Sequence, residues 1–145
     1  MYEKILVTLD GTQLSESVLE HIEEFAQANH SQVTLLTVLP EPKPVTVRGV
    51  VVVPVDEVVE RARAEADQYL RGIAWRLSLH DIKSSRVILF GEPAKEIANY
   101  VRNHAVDLIA MAKHERHGLD RLLHPSVSRK VMRAVSTPMF VLKAA

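Results

Sequence analysis

Short unbroken apolar runs alternate along this chain with longer segments in which apolar residues recur every three or four positions. Ile5-Leu6-Val7-Thr8-Leu9 is the first run, and Asp10-Gly11-Thr12 ends it with a turn signal. The period then changes. Leu14, Val18, Ile22, Phe25 and Ala26 fall on one face of a helix that Ser15 is suited to cap and that extends to about Asn29. Val33 begins a second run, which reaches Leu39 and is closed by Pro40. Neither run alternates apolar with polar, as expected of strands in a parallel sheet covered on both faces.

Residues 40–54 carry Pro40, Pro42, Pro44 and Pro54 with valines between them. Proline lacks the amide that a ladder needs, so this segment reads as a long loop with room for a short extended piece. Asp56 opens the longest helix, which ends near Leu79 and buries a stripe of Val59, Ala62, Ala66, Tyr69, Ile73 and Leu77. Arg61, Arg63, Glu65 and Arg71 lie off that stripe. Trp75, the one tryptophan, is expected to pack at a helix edge. Val87-Ile88-Leu89-Phe90 is the third strand. Gly91-Glu92-Pro93 turns into a third helix that ends near His104, with Pro93 at the first helical position and Ala94, Ile97, Ala98 and Val101 facing inward. Leu108-Ile109-Ala110-Met111 forms the fourth strand. After a loop, a helix from Ser126 to about Val135 leads to a fifth strand at Met139-Phe140-Val141-Leu142.

Strands alternating with helices over short connections imply right-handed crossovers. The expected fold is α/β: one doubly wound, Rossmann-like, five-stranded parallel sheet of order 3-2-1-4-5 with helices on both faces. Its 145 residues suit a single domain spanning 1–145. Ligands of such sheets gather at the carboxyl ends of the strands near the switch point. Asp10 closes the first strand and Met111 the fourth, so the loop from Ala112 onward should face the Asp10-Gly11-Thr12 turn.

Composition narrows the function classes. Eighteen basic residues balance eighteen acidic ones, so no global field draws the chain to nucleic acid or to anionic membrane. Cysteine is absent, which removes disulfides, thiol catalysis and zinc–thiolate sites. No apolar run approaches the ~20 residues of a membrane span. Met1-Tyr2-Glu3-Lys4 passes directly into a strand without signal-peptide architecture, which points to the cytoplasm.

Five segments in order resemble the universal stress protein family. They are residues 5–12, the 33–38 strand, Gly91-Glu92-Pro93 with Ile97, Asp107-Leu108-Ile109-Ala110-Met111, and Thr137-Pro138-Met139-Phe140-Val141-Leu142. The resemblance covers nearly the whole chain and implies an adenine-nucleotide-α-hydrolase-like sheet. It also implies an ATP site using Asp10, the backbone at Val38, and a loop of the form G-x-x-G, nine residues, then G-S or G-T. That loop falls on residues 112–126 here. Its glycine positions hold Ala112, Glu115 and Pro125, while Gly118 and Ser126 remain in frame. Phosphate cradles use glycine so that backbone amides can approach the anion, often at positive φ. Glu115 sets a carboxylate where phosphate would lie, and Pro125 removes an amide donor. Family members divide into those that retain ATP and those that do not. The altered loop places this chain among the second, with no cofactor, and leaves ATP or AMP binding through a rearranged loop as the alternative. The resemblance further implies a homodimer whose Met139-Phe140-Val141-Leu142 strands meet about a two-fold axis.

Other chemistry in the loop is weaker. Residues 113–143 hold seven Lys or Arg against two acids, either a remnant anion site at Ser126 or a solvated basic face. His114-x-x-His117, with His124 beyond, has ligand-like spacing, but no fixed further ligands complete a set and no metal is expected. Asp10 can orient a magnesium ion or simply cap its strand. No G-x-S-x-G, G-x-x-x-x-G-K-[ST] or G-x-G-x-x-G occurs, and no nucleophile–base constellation emerges. The expected role is therefore binding or regulation, with a small ATP-hydrolysing or phosphotransfer enzyme as the alternative from another class.

Overall fold

A computed structural model of the protein describes residues 1–113 and 126–143. The elements are β1 (Lys4–Thr8), α1 (Gln13–Asn29), β2 (Gln32–Leu39), β3 (Val45–Val47), β4 (Val50–Val53), α2 (Val55–Ser78), β5 (Ser84–Phe90), α3 (Pro93–Asn103), β6 (Leu108–Lys113), α4 (Val127–Ala134) and β7 (Met139–Lys143). Five strands form a sheet of order β5-β2-β1-β6-β7, and every neighbouring pair is parallel. Counting only these strands, that is the expected 3-2-1-4-5.

The unbroken apolar runs follow from burial on both faces. Ile5, Val7, Leu9, Val33 and Leu35 point toward α1 and α2, where Val18, Leu19, Ile22, Leu70, Ile73 and Leu77 complete one core. Leu6, Leu36, Ile109 and Met111 point the other way, onto Ala94, Ile97, Val101 and Val131 of α3 and α4. A strand in this position has no solvent face, so polar alternation would bury unpaired dipoles.

Four local expectations need correction. Thr12, not Ser15, caps α1: its hydroxyl accepts the Ser15 amide, and Ser15 already lies within the helix. β5 starts at Ser84, three residues before its apolar run. Trp75 does not pack at an edge but is 66% exposed. Residues 45–53 form an antiparallel hairpin, β3–β4, rather than a loop. Its two-residue turn, Arg48-Gly49, has φ of 50° and 78°. Two positive φ values in a row match the twist of a tight hairpin, and glycine at the second makes that turn inexpensive. Among the described residues, no helix is long and apolar enough to cross a membrane.

Candidate functional site

β1 ends in a small polar knot. The Leu9 amide still donates to the Leu36 carbonyl (2.8 Å), and then Gly11 takes φ 83°, a left-handed value that releases the chain from the sheet. Asp10 Oδ1 accepts both the Thr12 amide (2.9 Å) and the Thr12 hydroxyl. Ser15 Oγ donates to the Thr12 carbonyl (2.9 Å) and accepts weakly from the Asp10 amide (3.3 Å). The carboxylate thus helps hold the turn that presents it.

Beside this knot, at the carboxyl ends of β1, β2 and β6, lies a cavity of about 180 Å³. Leu36 and Val38 of β2 floor it together with Met111 and Ala112 of β6. Pro93 and Ile97 of α3 and Val127 of α4 close one side, while Asp10 and Ser15 supply its polar edge. Glu92 fixes the α3 side by capping that helix, accepting from the Ala94 amide (3.3 Å) and the Lys95 amide (2.9 Å).

The structure brings three sequence-predicted site residues together here: Asp10, Val38 and Ala112. Ser126 precedes the lining residue Val127 and caps α4, its hydroxyl accepting the Arg129 amide at 3.3 Å and lying 3.2 Å from Ser128 Oγ. Ala112 belongs to the regular ladder of β6, opposite Leu142, and is not among the positive-φ residues. Its backbone therefore bears no strain from the methyl group, which acts only by occupying space. Glu115, Gly118, Pro125 and the histidines His114, His117 and His124 lie outside the described residues. Among the described residues, no group of three or more His, Asp or Glu is placed to hold a metal ion.

Pattern reasoning missed Tyr69's relation to the site, because its place on the apolar stripe of α2 marks it only as core. Its hydroxyl is buried against the start of α1, without a well-formed hydrogen bond among the described residues. Burial first, then the Glu16 carboxylate, and further down Asp10, push its pKa up to about 12 from 10.0. The folded state holds this proton more tightly than the unfolded chain does. The resulting stability is complete below pH 10 and is lost as pH rises from about 10 to about 12. A phenolate absorbance titration should show a step near pH 12 that disappears in Tyr69→Phe.

This geometry defines a Rossmann-like α/β protein with a cavity at the switch point, where ligands of such sheets gather: an apolar floor, one polar edge and two converging helix entries. A model of the universal stress protein family matches residues 1–143, and the chain belongs to that family. It is 26% identical over 148 residues to universal stress protein YxiE of Bacillus subtilis, an alignment covering 99% of this chain and 100% of the relative. The solved structure of hypothetical protein MJ0577 superposes with a TM-score of 0.80 at 25% identity, covering 100% of this chain and 98% of that one. A universal stress protein from Archaeoglobus fulgidus, solved in complex with dAMP, superposes with a TM-score of 0.66 at 19% identity, covering 98% of each chain.

Proposed function

We propose that this universal stress protein works by binding or regulation, without retaining or turning over ATP. It does so as a single domain spanning residues 1–145, in the cytoplasm, and as a homodimer joined along Met139, Phe140, Val141 and Leu142. The observation that carries the ligand state is the loop sequence. Glu115 and Pro125 stand at two glycine positions of the phosphate cradle, where they supply a repelling charge and withhold an amide. Ala112 contributes less, because its backbone is an ordinary strand. The absence of catalysis rests on the sequence, which offers no nucleophile–base constellation, and the Ser15 hydroxyl is engaged with the Thr12 carbonyl.

A second reading is favoured by one feature. The cavity floor at Val38 and Ala112 is apolar, a chemistry that suits the face of a base, and the Archaeoglobus fulgidus neighbour was solved with dAMP. On that reading an adenine nucleotide binds through Asp10, the Val38 backbone and Ser126, with the loop rearranged.

Denaturing the purified protein and analysing the released small molecules separates the two. No stoichiometric nucleotide is expected, and about one ATP per chain would overturn the first reading. Changing Ala112, Glu115 and Pro125 together to glycine should then create ATP-dependent thermal stabilisation. At a hundredfold excess over Kd, linkage adds about 2.7 kcal/mol. In a chain of this size that amounts to roughly 5–10 °C in Tm. No shift with millimolar Mg-ATP would mean that the loop glycines are not what limits binding.

A further inference from the structure

The opposite end of the sheet carries a second groove. α3 has 11 residues and spans about 16 Å, whereas the eight residues of β2 span about 26 Å. The helix therefore runs out before the sheet does. What it leaves bare on its own face is a polar floor, and the groove there measures about 400 Å³, within the range of small-molecule sites.

Strand register orders that floor. Lys4 of β1 sits opposite Gln32 of β2, and Lys83, whose carbonyl accepts the Val33 amide, flanks Gln32 on the other side. Two residues further into the groove, Thr34 and Ser85 are register partners with their hydroxyl oxygens 3.2 Å apart. Strands lie about 4.8 Å apart, so the two lysine Cα atoms stand about 10 Å from each other, close enough for flexible stems to converge on one anion. Neither ammonium has a carboxylate partner among the described residues. Asp107, beside Lys4, spends one oxygen on the Glu3 and Lys4 amides (3.0 and 2.9 Å). The wall is aromatic: Tyr100 and His104 stack with centroids 3.8 Å apart and planes 11° apart. His104 Nδ1 lies 2.9 Å from the Tyr100 carbonyl, which fixes the ring.

Two uncompensated cations above a pair of hydroxyls, facing a rigid flat wall, form a complement to one kind of ligand. We propose that this groove binds a small organic phosphate monoester, with the phosphate between Lys4 and Lys83 and a flat organic body against Tyr100–His104. Ammonium groups and hydroxyls both donate to phosphate oxygens, and charge-assisted bonds of this kind are the stronger class. The site is separate from the cavity at Asp10, since the two lie at opposite ends of the same strands.

The test uses phenyl phosphate as probe, followed by amide chemical shifts of the isotopically labelled full chain. Saturable shifts are expected at Gln32, Val33, Ser84, Ser85 and His104, with inorganic phosphate binding at least fivefold more weakly. The double variant Lys4→Gln, Lys83→Gln changes only exposed side chains and should weaken phenyl phosphate by tenfold or more. Shifts confined to the Asp10 end, no saturation at millimolar probe, or undiminished binding by the double variant would each overturn the proposal. Equal affinity for inorganic phosphate would overturn the part assigned to the aromatic wall.

Discussion

Replacing Leu36 by alanine is expected to cost about 3 kcal/mol of unfolding free energy. Leu36 is fully buried and belongs to the core beneath α3 and α4, with Leu6, Ala94, Ile97, Ile109, Met111 and Val131. It also floors the cavity at the switch point. Truncation removes the transfer free energy of three carbons and leaves a void against close-packed neighbours, the combination that places such changes at about 2–5 kcal/mol. The carbonyl of residue 36 still accepts the Leu9 amide, so the strand itself should persist. Urea denaturation should show a lower midpoint with an unchanged slope. Leu36→Met, which conserves volume, should cost less than about 1.5 kcal/mol. A loss below about 1 kcal/mol in the alanine variant would show that the cavity floor collapses easily, and is thus no preformed site.

How far the fold was legible depended on what each segment buries. β1, β2 and β6 lie inside the sheet and announced themselves as apolar runs, because both faces are covered. β5 did so only in part. Ser84, Ser85 and Arg86 are strand residues beyond the end of α3 or on the outer side, where polar side chains meet water or Asp67, and so they carry no apolar signal. The β3–β4 hairpin was hidden by its flanking prolines. Pro40, Pro42, Pro44 and Pro54 all lie outside the two strands, and the informative residues were Arg48-Gly49 between valines. Thr12 lost the capping role to Ser15 in the sequence because both are good caps three residues apart; only the turn at Gly11 decides between them. At the site, Asp10, Val38 and Ala112 could be placed from strand ends and family resemblance. Pro93, Ile97 and Val127 could not be assigned to it, since their spacing speaks of helix packing, and the angle at which those helices meet the sheet is a tertiary property.

Val141→Lys should convert the proposed homodimer into a monomer. The two outer strands of the sheet differ in how they are protected. β5 presents Ser84, Ser85 and Arg86, and Arg86 is held by Asp67 at 3.0 Å. β7 is apolar at Met139, Phe140, Val141 and Leu142, with only Lys143 charged, and all four apolar residues are half-buried in the single chain. A flat apolar edge of this kind invites pairing unless it is covered, and a two-fold axis lets one copy cover the other. The backbone is available for it. The Ile109 amide donates to the Pro138 carbonyl (2.9 Å), which in a parallel ladder turns the amides of Met139 and Val141 toward the open side. A lysine at 141 would bring two like charges together across the axis. Light scattering should fall from twice 16.3 kDa to 16.3 kDa at micromolar concentration. Because Val141 also packs against the α3–α4 core, the lysine could weaken the monomer itself, so the variant's circular dichroism is recorded alongside. Val141→Pro is the sharper control: it deletes an outward donor while leaving the β6–β7 bonds in place, and proline is tolerated on edge strands. Both variants should be folded monomers. A native chain that is already monomeric would overturn the homodimer, and two folded variants that remain dimeric would place the interface elsewhere.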